Sequence, residues 1–174
     1  MGKVTKNEFE NAVMKHTLWL TDADGGERAN FTDRDLRNMY ISGDFSDAIF
    51  VRANLSGVRI SHSSQASFCG AIFTEAVCIE SEFRGTNFSG AALTGANFMG
   101  AELREANFSE TTLTESTFLG ADLTDVNFQN ADLRLSNFTR AALGGANFVG
   151  ANLSGACIKG DEFWPRISCK HYKE

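Results

Sequence analysis

The sequence predicts an all-β solenoid, and three observations carry that prediction. From Phe68 to Phe163 every fifth residue is large and apolar, apart from the smaller Cys78. Two residues before nearly every one of these stands Ala, Ser or Thr. Phe and Leu alternate without a break from Phe88 to Leu153. A spacing of five fits no straight element: it turns a helical side chain by about 140° per step and sends successive strand residues to opposite faces. The chain must therefore turn once per five residues, and short straight pieces joined at corners make a stack of coils.

The Phe/Leu alternation makes the true repeat ten or a multiple of ten, and a coil of four five-residue sides holds twenty. Phe then lies over Phe and Leu over Leu at a coil spacing of roughly 4.8 Å. The small residues, such as Ala91, Ala101, Ala121 and Ala131, point inward as well, because large side chains already crowd the axis. Asp161 departs from that pattern and marks the end of the coil.

Residues 1–26 are predicted as a capping helix and a turn. Thr5 followed by Glu8 is a capping box, Phe9, Ala12, Val13, His16 and Leu20 share one face, and Asp22-Ala23-Asp24-Gly25-Gly26 stops the helix. The open edge of a first coil invites stacking by another chain, which gives such a helix its place. The solenoid spans 27–165, with register breaks near 44–47 and at 61–65. Phe31, Leu36 and Ile41 are in one phase, and Phe45, Phe50, Leu55 and Ile60 are in another after the loss of one residue. The run 61–65 reads as a bulge or a small loop. Arg34 and Met39 stand where later coils use Ala, so the first coil is expected to be irregular or wider. Residues 166–174 form a short tail.

The units Ala96-Asn97-Phe98-Met99-Gly100 and Ala121-Asp122-Leu123-Thr124-Asp125 resemble those of the pentapeptide-repeat family, over about three quarters of the chain. The resemblance implies a right-handed quadrilateral β-helix, a rod about as wide as B-form DNA. One branch of that family binds DNA gyrase or topoisomerase IV in place of DNA, and some members confer resistance to quinolones or to gyrase-directed toxins. This chain departs from that branch in having an N-terminal helix, no long inserted loop and only a short tail.

The net charge of −6 and pI near 5.1 argue against nucleic acid as a ligand, because phosphate binding needs a basic surface. No apolar run reaches membrane-spanning length and no signal peptide opens the chain, so a cytoplasmic, non-membrane protein is expected. Cys69, Cys78, Cys157 and Cys169 lack metal-ligand spacing, and no metal or other cofactor is expected. His16, His62 and His171 lie near no nucleophile and are read as surface or cap residues. The glycines near Gly144 sit at corners and no Gly-Lys-Ser follows them, so they form no phosphate loop. No catalytic residue is assigned.

Positions twenty apart stack on one side of the rod, which sorts its outward residues. The side of Phe83, Leu103, Leu123 and Leu143 carries Glu82, Glu102, Glu105, Asp122, Asp125 and Glu162 against Arg84 and Arg104, a surplus of four negative charges. Those acids either keep the rod soluble or imitate a phosphate backbone, in which case Glu82, Glu102, Glu105, Asp122 and Asp125 contact a type II topoisomerase. The side of Phe98 and Phe118 carries Ile79, Met99 and Leu119, together with Val77, an alternative docking strip for a scaffold or adaptor. The Phe163-Trp164 end is a further place for docking or homodimerisation. The ladder of Asn87, Asn107, Asn127 and Asn147 is read as structural, its amides bonding from coil to coil.

Overall fold

The computed structural model describes residues 2–60 and 66–158. Its repeating unit is a corner. The second residue after each central apolar residue has positive φ, and of the eighteen such positions from Gly70 to Gly155 half are glycine and half are not. Glu105 (φ 60°), Asp125 (57°) and Leu135 (59°) adopt this conformation although it costs an L-residue about 1–2 kcal/mol. The turn is closed by the following small residue, as where the Ala106 amide donates to the Leu103 carbonyl at 3.0 Å.

Between corners the backbone bonds only to neighbouring coils. The Phe83 amide donates to the Glu102 carbonyl (2.8 Å), and the Glu102 amide donates back to Ser81 (2.9 Å). The resulting contacts are single parallel bridges, four per coil, so regular strand is confined to short pairs among the described residues. Their register dates each irregularity. Asn30 pairs with Ile49 and Asp35 with Asn54, nineteen residues on; Asp44 pairs with Ser67 and Ile49 with Ile72, twenty-three on. From Ser67, paired with Asn87, to Asn137, paired with Cys157, the step is twenty throughout. The first coil is thus one residue short and the second three residues long. The run 61–65, Asp161, the Phe163-Trp164 end and the tail lie outside the described residues.

The core is a pair of aromatic columns. Phe88 stacks on Phe108 at 4.8 Å and 7°, and Phe98 on Phe118 at 5.3 Å and 4°. Phe108 meets Phe118 edge-on, at 5.9 Å and 82°. Leu93, Leu103, Leu113, Leu123 and Leu133 fill the two remaining sides and are fully buried. At the small inward positions Ser116 and Ser136 donate to the Leu113 and Leu133 carbonyls at 2.7 Å and Ser81 to the Leu55 carbonyl of the preceding coil at 2.8 Å, whereas Thr86 Oγ1 is buried without a partner. Cys78 is fully buried and its thiol pKa is pushed up by desolvation. Cys78 and Cys69 are free thiols.

The N-terminal end is closed by two elements. Helix α1 (Lys6–Leu20) begins at the expected capping box, with the Glu8 amide donating to Thr5 Oγ1 (3.2 Å) and the Thr5 amide to Glu8 Oε2 (2.8 Å). Phe9 and His16 are buried against the first coil, and Ala12 and Val13 pack beside them. The second element is a strand that the sequence pattern does not reveal. Residues Gly2–Lys3 form β1, parallel to β2 (Arg34–Asp35), and the Val4 amide continues the pairing to Asp35 at 2.9 Å. Strand β3 (Tyr40–Ile41) pairs in turn with β4 (Arg59–Ile60). The irregularity expected at Arg34 and Met39 is visible: Arg34 is half-exposed and Met39 only partly buried.

Truncating a central residue leaves a cavity inside the stack, at a typical cost of about 2–5 kcal/mol. Phe108→Ala and Leu123→Ala should lower the melting temperature sharply in calorimetry, and Thr94→Ala, at an outward position, should hardly move it. Equal, small shifts at all three positions would contradict the inward assignment.

Candidate functional site

The residue before each central apolar side chain is the bridging residue, and it faces outward. Where it is Asn or Asp, its side-chain oxygen serves the turn: it accepts the amide two residues on, which no coil-to-coil bond reaches. Asn87 accepts from Ser89 (3.1 Å), Asn107 from Ser109 (3.1 Å) and Asp122 from Thr124 (3.1 Å). The recurrence of Asn and Asp in the repeat follows from that bond. The Asn side also bonds from coil to coil, with Asn107, Asn127 and Asn147 each donating to the preceding Asn at 3.1–3.2 Å. These amides are occupied by the fold.

The five predicted contact acids come together on one face. Glu82 pairs with Glu102 and Glu102 with Asp122 in successive coils, and Glu105 and Asp125 stand at the corners beside them. Glu102, Glu105 and Asp125 are exposed, and Glu82 and Asp122 are half-buried. Sequence counting overstates the charge of this face. Arg84 reaches up one coil to Glu105 (2.8 Å), and Arg104 to Asp122 (3.4 Å). Arg59 lies beneath Glu82 at 3.0 Å. Five carboxylates therefore meet three guanidiniums, and Glu162 lies outside the described residues. A count by twenties misses Arg59, which stands twenty-three residues before Glu82. The phase of the neighbouring Ile60 is the signal that could have found it.

Asp122 is a turn cap as well as an acid. Desolvation raises its pKa, but the amide and hydroxyl of Thr124, which reach Oδ1 at 3.1 and 2.6 Å, and the Arg104 guanidinium outweigh it, so the pKa lies below the ordinary carboxylate value. Asp132 on the next side is held down chiefly by hydrogen bonds from Arg134 (2.6–2.8 Å). At the foot of the acidic column Arg59 donates to the Tyr40 hydroxyl at 3.1 Å and lies over its ring. Beside Tyr40 a groove of about 550 Å³ opens between α1 and the first coil, with Phe9, Val13 and Met39 in its wall.

The alternative strip is a column too. Ile79, Met99 and Leu119 follow one another at twenty-residue steps, with Met99 exposed (38%) and its two neighbours half-buried. Among the described residues no cluster of His, Cys, Asp and Glu has the arrangement of a metal site, and no helix is long and apolar enough to cross a membrane.

Two family profiles match the repeats. One, a pentapeptide repeat region, matches residues 91–163, and the other, pentapeptide repeats in eight copies, matches residues 64–100. A comparison with curated protein sequences gives no match. Among solved structures, a pentapeptide repeat protein of the Arabidopsis thaliana thylakoid lumen is 28% identical, over 56% of this chain and 70% of that one, with a TM-score of 0.44. One from the cyanobacterium Cyanothece is 20% identical over 83% and 95%, with a TM-score of 0.46. Trypsin-treated QnrB1, a plasmid-mediated fluoroquinolone resistance protein, is 25% identical over 75% and 68%, with a TM-score of 0.44.

Asn127 accepts both the Asn147 side-chain amide and the Gln129 backbone amide, and donates to Asn107, so Asn127→Ala removes three bonds at one position. A loss of about 1–3 kcal/mol is expected in denaturant unfolding. Asn127→Asp, which keeps the acceptor, should recover part of it. An unchanged midpoint for Asn127→Ala would show that the ladder contributes nothing to stability.

Proposed function

The chain belongs to the pentapeptide-repeat family, and we propose that it is a right-handed quadrilateral β-helix that acts without catalysis, by binding a protein through its sides. The reading rests on one observation: Glu82, Glu102 and Asp122 stand in register in successive coils, with Glu105 and Asp125 at the corners beside them. Carboxylates repeating along a rod about as wide as DNA present what a phosphate backbone presents to a basic surface. The resemblance to the topoisomerase-protecting branch makes DNA gyrase or topoisomerase IV the partner of choice. The guanidiniums of Arg59, Arg84 and Arg104 pair with Glu82, Glu105 and Asp122 and lower the charge without breaking the repeat, so contact falls chiefly to Glu102 and Asp125, with the exposed Glu105 beside them.

A second reading, a scaffold or adaptor, is favoured by Met99, which stands exposed between half-buried Ile79 and Leu119. The two readings differ in what salt does. Exposed charges are screened beyond roughly 8 Å at physiological ionic strength, whereas apolar contact is not.

A gyrase supercoiling assay with added protein tests the first reading, with inhibition or protection from a quinolone as the expected result. Glu102→Lys, Glu105→Lys and Asp125→Lys, combined with Asp122→Asn to spare the turn cap, should abolish the effect and leave the melting temperature near its original value. The effect should also weaken as salt rises. No influence on supercoiling, or an effect that survives these substitutions with unchanged salt dependence, excludes phosphate mimicry. Loss of partner binding on Met99→Asp would then place contact on the apolar strip.

A further inference from the structure

The polar group that α1 buries most deeply is His16. Its side chain is wholly buried (0% exposed) and stacks on Trp19 at 5.4 Å and 12° and against Phe45 at 6.3 Å and 23°. Its Nδ1 accepts the Ala29 backbone amide at 3.3 Å, and its Nε2 is buried with no hydrogen-bond partner. An Nδ1 that accepts a hydrogen bond carries no proton, so the docked imidazole is neutral with its proton on Nε2. A second proton could go only onto Nδ1. There it would point at the Ala29 amide, replacing a buried bond between the helix and the chain entering the first coil by a donor facing a donor.

We propose that α1 is a pH-sensitive latch: protonation of His16 releases the helix from the first coil and uncovers the solenoid's N-terminal end. The rest of the helix contact is apolar or exposed, apart from one further backbone bond, in which the Glu27 amide donates to the Lys15 carbonyl at 3.1 Å. Phe9 stacks on Phe31 at 5.5 Å, and the Lys15–Glu27 pair lies at the surface. The rod beyond keeps its own ladder of bridges, so the end can open without the coils unwinding.

The charged groups that face His16 are Asp44 and Asp47 of the first coil, which favour the imidazolium, and Arg28, which opposes it. Burial outweighs the carboxylates and the nearby Ser46 backbone, and the pKa lies below the ordinary 6.5. The docked helix thus takes up a proton less readily than the free one. Docking is complete above pH 6.5 and weakens as the pH falls through 6.5 toward that lower value.

Hydrogen exchange on the full-length protein, corrected for the intrinsic rate at each pH, tests the latch between pH 7.5 and 5. Protection of amides in 6–20 should fall at least tenfold, while protection in 66–156 stays unchanged. His16→Gln, which keeps a neutral acceptor for the Ala29 amide, should hold the helix equally at both pH values. The double variant His62→Ala/His171→Ala leaves His16 as the only histidine, and its imidazole NMR titration should have a midpoint below 6.5 that coincides with the loss of helix protection. This arm decides the matter should His16→Gln leave the helix undocked at both pH values. The proposal is overturned if α1 stays protected at pH 5, if helix and rod lose protection together, if His16→Gln shows the same loss as the wild type, or if His16 titrates at or above 6.5.

Discussion

The bond from coil to coil is the constraint on which the rest of the structure depends. Within one turn of the solenoid the backbone closes only the corner, as Ala106 does on Leu103; its remaining straight-segment amides and carbonyls reach the coil before or after. No coil can therefore exist alone, and each fixes the height and register of the next. A corner every five residues is the geometric condition for that register, and it is met even where the residue is unsuited to it, as at Leu135 and Arg140. The strain is tolerated because neighbouring coils hold the corner from both sides. The Leu135 amide, for example, donates to Ser154 at 3.0 Å.

A fold with this rule has difficulty only at its ends. The first coil has no preceding coil to receive its amides, and the chain supplies substitutes: β1 runs along Arg34–Asp35 as a short extra strand, and α1 lays Phe9 and His16 over the rings of Phe31 and Phe45. The substitution is less regular than the coils it completes. It leaves Nε2 of His16 and Nε of Arg34 buried without hydrogen-bond partners, whereas the side-chain amides of the Asn ladder are bonded. Two of the three such groups among the described residues thus lie where the repeat gives way to a cap, the third being Thr86 Oγ1 within the rod, and the cap is where the structure is easiest to open.

Most of the rod is legible in the sequence because one residue type per position does one job. Phe108 and Leu123 are buried as the period requires, and Thr5 and Glu8 close the helix N-terminus as their spacing requires. What escapes is whatever depends on register across an irregularity, or on backbone alone. Gly2–Lys3 carries no apolar alternation, and only its backbone reaches Arg34–Asp35, so nothing in its side chains announces a strand. Arg59 belongs to the acidic column, but the three added residues of the second coil hide it from a count by twenties. For the same reason the count makes the face more negative than it is.

Asp122 shows why the candidate site is harder to read than the fold. By type it is an acid on an acidic face; by geometry it is the oxygen that its turn requires, equivalent to Asn107 and Asn127 at the same place in the repeat. A bridging Asp or Asn is accounted for by the backbone it caps, and its presence says nothing about a partner. Glu102 is different. Its longer side chain occupies a bridging position without supplying that cap among the bonds observed, and the fold would accept Asn there at least as well. Outward residues that the turn does not need, Glu102 above all and the non-glycine corners Glu105 and Asp125 beside it, are where selection for binding can act without disturbing the ladder. The information about function in such a rod lies in its departures from the repeat, and the acids of this face that depart from it, Glu82, Glu102, Glu105 and Asp125, lie within three successive coils.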